Sequence, residues 1–296
     1  MKLAAIIQEG RPAPAVISGG YAHPLPASPD APGSLEAIVA DPDRWLPWLE
    51  AYLAAPGPGL RLADIQVAAP LQRPAKIVAV GLNYADHAAE GNVALPAEPL
   101  LFTKFSSSII GPGEYICWDS ALTDAVDYEA ELAVVIGRRA RNVTVDAALD
   151  HVFGYTCLND ISARDLQFAD GQWVRAKSLD TFCPLGPWIV TADEIADPQA
   201  LAIECEVSGE LLQAASTADM IFSVAELVSR ISRSFTLEPG DLIATGTPPG
   251  VGYFREPQRL LRNGDEVVVR VQAVGEIRNT VRLDWHPNPK ETTRHG

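Results

Sequence analysis

Cysteine is scarce and scattered. The 296-residue chain holds four, Cys117, Cys157, Cys183 and Cys205, and no two form a C-x-x-C pair. That excludes a disulfide scaffold and a cysteine-rich zinc site, and fits buried thiols in a reducing compartment. Basic residues are also few: 23 Lys and Arg stand against 38 Asp and Glu, a formal net charge of −15. A field of that sign opposes binding to nucleic acid or to an anionic membrane surface. No stretch reaches the roughly 18 apolar residues that span a bilayer. The apolar start is soon interrupted by Glu9 and Arg11, too early for a secretion-signal core. These absences make cytoplasm the expected compartment. H-E-x-x-H and G-x-S-x-G are both missing, which removes the common zinc-peptidase and serine-hydrolase readings. There is no internal repeat and no low-complexity tract.

What is present is a well-supplied core. Hydrophobic residues make up 47% and charged residues 21% of the chain. That suffices for one large domain, or one domain with a small appendage. Residues 1–70 read as a small N-terminal subdomain. Leu3–Ile7 and Val16–Ile17 suggest a hairpin, and Ser34–Ala54 is helical with a break at Asp41-Pro42, where Asp caps and Pro begins a second helix. From residue 71 onward strands dominate: Ile77–Val80, Leu132–Ile136, Pro187–Val190, Leu201–Val207, Asp241–Ala244 and Glu266–Val271. Helices are expected at Ala85–Glu90, Ser162–Phe168 and Val224–Ser232. The class is α+β, mostly β, with mixed pairing, in a catalytic region of residues 71–296. The polar tail Pro287–Gly296 should fray.

Five features could carry chemistry. In Asp127-Tyr128-Glu129-Ala130-Glu131 the two glutamates would leave one face of a strand together, where their mutual repulsion calls for a partner. A hard divalent cation, Mg²⁺, Mn²⁺ or Ca²⁺, is one such partner; an edge strand with two solvated glutamates fits the spacing as well. Downstream of a short strand ending at Asn159-Asp160, Asp160, Arg164 and Gln167 fall at i, i+4 and i+7 on one helical face, with Asp160 also readable as a helix cap. His87 and Glu90 are i and i+3 on a helical turn, a pair able to take a proton from water, or a chance surface pair. Of the five histidines, His23, His286 and His295 lie near the ends and His151 reads as a helix-end or core histidine, which leaves His87 as the best-placed candidate base. Lys177 lies ahead of a strand and could neutralise a carboxylate or an enolate. The loop Thr245–Gly252 lacks the G-K-[ST] of a phosphate loop. It is either a plain connection or a carboxylate-binding turn that donates from the Thr247 hydroxyl and backbone N–H groups.

Each cluster alone is weak, but their order is specific. GLNYADHAAE, LFTKFSSSIIGPG, DYEAELAVVIG, GYTCLNDISARDLQ, AKSLDTFCPLGPW, DMIFSVAELVSRIS and LEPGDLIATGTPPGVG follow one another over about residues 74–283. In that order they resemble the catalytic domain of the fumarylacetoacetate hydrolase superfamily. The resemblance implies a mixed β-roll or β-sandwich, a homodimer, and a Mg²⁺ or Mn²⁺ ion on Glu129, Glu131 and Asp160. It implies a lid-borne base dyad in His87 and Glu90, an active-site Lys177, and substrate contacts from Arg164, Gln167 and Thr247. Where the family usually reads lysine-proline, this chain has Lys104-Phe105, a change expected to reshape the pocket mouth. The implied substrate is a small 2-oxo or 2,4-dioxo acid. His87 and Glu90 favour hydrolysis of a C–C bond in an acylpyruvate or fumarylpyruvate, releasing pyruvate. Decarboxylation of oxaloacetate, or isomerisation or decarboxylation of a 2-hydroxy-dienedioate, uses the same enolate and is the alternative.

Overall fold

The computed structural model describes residues 1–283. The expectation of a frayed tail, and His286 and His295, fall outside those residues. The chain opens with β1 (Lys2–Gln8), β2 (Arg11–Ser18) and β3 (Tyr21–Pro24). Then come α1 (Leu35–Ala40) and α2 (Pro42–Leu53), followed by the short strands β4 (Leu60–Arg61) and β5 (Val67–Ala68). The Asp41-Pro42 reading holds, since the Asp41 carboxylate accepts from the Arg44 N–H and Pro42 is the first helical residue. Next are β6 (Ile77–Gly81), α3 (Ala85–Glu90) and β7 (Leu100–Thr103). The short strands β8 (Ile109–Ile110), β9 (Tyr115–Ile116) and β10 (Val126–Asp127) lead to β11 (Ala130–Ile136). After α4 (Val145–Ala148) come β12 (Val152–Asn159), β13 (Ser162–Ala163), α5 (Arg164–Asp170), α6 (Val174–Lys177) and β14 (Cys183–Thr191). The chain continues through β15 (Ala202–Val207), β16 (Glu210–Ser216), α7 (Val224–Ser234), β17 (Leu242–Ala244), β18 (Glu266–Val271) and β19 (Gly275–Val281).

Two large sheets result. The first runs β4-β3-β2-β1-β14-β12-β11-β17-β6-β7, with β5 on β1 and β8 on β14. Its pairing is mixed: β6 and β17 are parallel, whereas β11 is antiparallel to both β12 and β17. The second runs β16-β15-β18-β19-β9. β11 reads as a continuous apolar run, Leu132 to Ile136, because both of its faces are buried. One face packs Leu132, Val134 and Ile136 with Ile203, Cys205 and Val269 of the second sheet. The other packs Ala133 and Val135 with Ile38, Val39 and Leu49 of α1 and α2. Residues 1–70 are thus tied to the later strands twice, through that apolar cluster and through the pairing of β1 with β14.

The first helix after β12 begins later than expected. Ser162 and Ala163 stay extended because they pair with Asp127 and Val126. Asp160 is therefore not on the helix and does not cap it, while Arg164 and Gln167 share its first turn.

Candidate active site

The strand ends of the first sheet bring the acids together. Ala130 lies opposite Asn159 in the register of β11 and β12. The Asp160 N–H donates to the Glu129 carbonyl (2.9 Å), and Asn159 Oδ1 accepts from the Glu129 N–H (3.0 Å). Glu129 precedes the strand rather than belonging to it, yet it converges with Glu131 as the spacing suggested. Oxygens of Glu129, Glu131 and Asp160 all lie within 4.8 Å of one another, and all three residues are buried.

Cations surround this cluster on two sides. Lys177 Nζ donates to Glu129 Oε2 (2.7 Å) and Asp160 Oδ2 (2.8 Å), which uses two of its three donors. Lys104, fully enclosed, donates to Asp160 Oδ1 (2.6 Å) and to the Lys177 carbonyl. Arg164 lies 2.7 Å from Glu129 Oε1 through Nη1, which also donates to Gln167 Oε1 (3.0 Å). Its Nε donates to Asp127 Oδ2 (2.9 Å). Arg164 Nη2 is near that same oxygen (2.9 Å) but not aligned with it, and has no hydrogen-bond acceptor among the described residues.

The charges respond accordingly. Burial works against ionisation of Glu129, but Lys177 and Arg164 outweigh it and hold the carboxyl down at about 2. Glu131 goes the other way. Burial, then the neighbouring charges of Asp160 and Glu129, push it well above the ordinary carboxylate range. Its one hydrogen bond among the described residues is from the Gly246 N–H (2.9 Å), so no cation touches it directly. For Lys177, burial opposes the charge and Asp160 and Glu129 restore it, with a net rise. A clustered set of carboxylate oxygens with one acid left uncompensated suits a hard divalent cation, so the donor set fits the implied ion.

The parallel pair β6 and β17 delivers the other wall. Beyond β17, Gly246 takes φ +95°, and a Cβ there would meet Asn83 Cβ at 2.8 Å and the Val80 carbonyl at 3.0 Å; only glycine fits. Gly250, at φ +103°, approaches the Leu212 carbonyl as closely, and its N–H donates to Glu90 Oε1 (2.8 Å). Leu82, a non-glycine at φ +57°, stands just before the helix that carries His87, a strained conformation of the sort found beside functional sites. His87 Nδ1 is 3.2 Å from Glu90 Oε2, which leaves Nε2 free of protein partners among the described residues. The Phe254 ring packs obliquely on the imidazole at 6.3 Å.

These walls enclose a cavity of about 140 Å³. His87, Glu129, Arg164, Gln167, Lys177 and Thr247 line it, six of the nine residues picked from the sequence. Glu131 and Asp160 sit behind Glu129, and Glu90 sits behind His87. The rest of the lining is largely apolar, with Val93, Phe102, Phe168, Trp173 and Phe254 prominent.

Several residues of the site escaped the sequence reading. Asp127 accepts from Arg164 and from the N–H groups of Tyr128, Gly252 and Tyr253. Its place two residues before the glutamate pair was a usable signal. Lys104 was given no role in the acid cluster, yet it is buried against Asp160; Phe105, the change expected to reshape the mouth, is exposed and is not among the residues that line the cavity. Gln213, in the second sheet, contacts Thr247 and gave no signal at all. The loop Thr245–Gly252 differs from expectation in one respect. Its N–H groups at Gly246, Gly250 and Gly252 are already taken by Glu131, Glu90 and Asp127, whereas Thr247, which lines the cavity, keeps its hydroxyl hydrogen for a ligand.

The model of the family described as fumarylacetoacetate (FAA) hydrolase C-terminal matches residues 76–282. The human mitochondrial oxaloacetate tautomerase FAHD2A is 42% identical over 265 residues, covering 89% of this chain and 84% of its own length. The bovine mitochondrial oxaloacetate tautomerase FAHD2B is 44% identical over 255 residues, 86% of this chain and 81% of its own. Among solved structures, a fumarylacetoacetate hydrolase from Exiguobacterium antarcticum superposes with a TM-score of 0.84 at 39% identity, over 96% of this chain and 99% of its own. A maleylpyruvate hydrolase from a Sphingobium species, in complex with manganese(II) and pyruvate, gives 0.82 at 30% identity, over 96% of this chain and all of its own. Among the described residues no helix is long and apolar enough to cross a membrane.

Proposed function

The chain belongs to the fumarylacetoacetate hydrolase family, and on that footing we propose that it interconverts the enol and keto forms of oxaloacetate with the help of Mg²⁺ or Mn²⁺. The observation that carries this reading is one small cavity. It brings together His87, whose Nε2 has no protein partner among the described residues, Glu129, the lining member of three clustered carboxylates, and Lys177, a lysine with a donor to spare. The volume, about 140 Å³, is well under the roughly 300–1,000 Å³ of sites for drug-sized ligands, and favours a short acid. The relatives named oxaloacetate tautomerase weigh in the same direction, toward proton shuttling and away from the C–C hydrolysis that the His-Glu pair first suggested.

Bound on Glu129, Glu131 and Asp160, the cation would act as a Lewis acid toward the substrate's 2-oxo and carboxylate oxygens. The chain supplies the rest. Arg164 Nη2, Gln167 and the Thr247 hydroxyl hold a substrate carboxylate. His87 Nε2 takes a proton from C3 of the keto acid, the C–H electron pair becomes the C2–C3 double bond, and the C2 oxygen gains the charge. Glu90 on Nδ1 stabilises the imidazolium and fixes the ring. The third Lys177 donor faces the charge that grows on oxygen. Return of a proton to that oxygen completes the enol, and the reverse order gives the ketone. The apolar walls keep bulk water away.

Hydrolysis of a short 2,4-dioxo acid is the second reading, favoured by the same His87–Glu90 pair and by the likeness to the maleylpyruvate hydrolase. One experiment separates the two. Decay of enol-oxaloacetate absorbance and cleavage of acetylpyruvate are followed side by side with Mg²⁺, Mn²⁺ and EDTA, with pyruvate formation measured in both. Accelerated enol decay that EDTA abolishes, without acetylpyruvate cleavage, is the expected result. Cleavage of acetylpyruvate with no effect on the enol would overturn it in favour of the hydrolase. A homodimer in the reducing cytoplasm remains part of the proposal, and sedimentation analysis checks the first half of it.

A further inference from the structure

Gln213 lies on β16 in the second sheet, fully buried, and reaches across to the cavity loop. Its Oε1 accepts from the Ala130 N–H (2.9 Å), between the two glutamates Glu129 and Glu131. Its Nε2 donates to the Pro248 carbonyl (2.8 Å) and to Thr247 Oγ1 (2.8 Å). The orientation of this amide is not arbitrary. A backbone N–H can only donate and a proline carbonyl can only accept, so the oxygen must face Ala130 and the nitrogen must face the loop. Both amide hydrogens are then spent, one of them on Thr247.

A hydroxyl that accepts on one side is left to donate on the other. Thr247 is 3% exposed, lines the cavity, and has no acceptor for its hydrogen among the described residues. We infer that Gln213 is a positioning residue that commits the Thr247 hydroxyl to donate into the cavity, toward a carboxylate oxygen of the bound 2-oxo acid. The same side chain locks the loop to the strand end that carries the acid cluster, so anion binding and the floor keep one register. This inference rests on the reading of the cavity as a 2-oxo acid site, but not on which reaction follows.

The test is pyruvate affinity of the Mn²⁺-loaded protein, measured by calorimetry, alongside kcat and KM for enol-oxaloacetate. Thr247→Val removes the hydroxyl at constant shape, and Gln213→Met removes the amide at similar length. Each is expected to weaken pyruvate roughly 10- to 100-fold, the worth of one hydrogen bond to a charged group. KM should rise with little change in kcat, and Thr247→Ser should restore binding. The double variant should be no weaker than the worse single one, because both remove the same bond. A purely structural role for Gln213 gives a different pattern: losses that multiply in the double variant, or a Gln213→Met protein whose affinity stays within twofold of the wild type. Either result overturns the inference. Should Gln213→Met not fold, Thr247→Val decides alone, since unchanged pyruvate affinity there removes the donor on which everything depends. Wild-type protein that binds pyruvate without turning over oxaloacetate sinks the proposed reaction and leaves this inference standing; wild-type protein that does not bind pyruvate sinks both.

Discussion

On the floor of the cavity, Glu129, Asp160, Lys104, Lys177 and Arg164 are almost wholly enclosed; Lys104 pairs with Asp160 and the Lys177 carbonyl, and each of the other four is held by two charged partners. Across from them, His87 and Glu90 ride on the six-residue helix α3 with fewer ties: one bond between them, one from Gly250 to Glu90, and an oblique contact with Phe254. The Glu90 side chain is 27% exposed, against 2% for Lys177. The contrast has a physical reason. A buried charge is tolerable only when its neighbours compensate it, so the floor must be rigid and over-connected. In the proposed reaction His87 carries the proton, and such a group must reach its substrate, change charge and let product go, which light attachments allow.

Disabling the floor should cost most. Glu131→Gln or Asp160→Asn should abolish Mn²⁺ binding in a calorimetric titration and lower metal-dependent turnover on the order of 10³-fold. Turnover within tenfold of wild type in both variants would remove the floor from the chemistry. A smaller loss is expected at α3. His87→Gln should lower the tautomerisation rate about 10²-fold, at the low end for general acid–base groups because oxaloacetate enolises unaided in water. Its affinity for Mn²⁺ and for pyruvate should barely change. Loss of metal affinity in this variant would erase the division between the floor and α3.

Asp127 belongs to both sides, since one carboxylate holds Arg164 on the floor and the amides of Gly252 and Tyr253, next to Phe254. Asp127→Asn keeps the shape, loses the charge, and leaves Arg164 with Glu129 as its remaining carboxylate. We expect about a tenfold rise in KM, as for other groups that orient a binding residue from behind. A kcat effect larger than the KM effect would make Asp127 part of the chemistry instead.

The difference between the two regions also explains what the sequence revealed. Period-two spacing at the start of β11 made the convergence of Glu129 and Glu131 legible, whereas Asp160, just past β12, joined them only through the family resemblance, its own spacing having pointed to a helix face. α3 and α7 could be read from their apolar and capping patterns, the latter with a Ser223–Glu226 capping box. Gln213 was invisible because its meaning depends on pairing between distant strands: it sits 83 residues from Ala130 and 34 from Thr247. Lys104 was given no role because nothing local says that a lysine will be buried; its partner Asp160 is 56 residues away. The start of α5 was misjudged for a similar cause, since the pairing of β13 with β10 overrode a plausible cap.

The smallest expected effect concerns a satisfied acid behind the Gly252–Phe254 segment, the counterpart of crowded Glu131. Asp265 accepts from both terminal nitrogens of Arg259 (2.9 Å each), from Ser208 Oγ (2.7 Å) and from the Arg262 N–H (2.8 Å). Burial alone would raise its carboxyl, but Arg259, Ser208 and the Arg262 amide outweigh burial and hold it below the usual range. A carboxyl lowered in the folded state adds stability above its unfolded pKa of about 3.9, and that stability drains away as pH falls through the folded value. Asp265→Asn should therefore melt lower at neutral pH by the equivalent of about 1 kcal/mol, with the gap to wild type closing below roughly pH 4. Because the Arg259 N–H also donates to the Gly252 carbonyl (3.0 Å), a modest KM rise with unchanged kcat should accompany it. A melting gap that persists or widens in acid would show that the Asp265 charge is not what secures the loop, and the light attachment of the α3 side would then have to be sought in packing around Phe254.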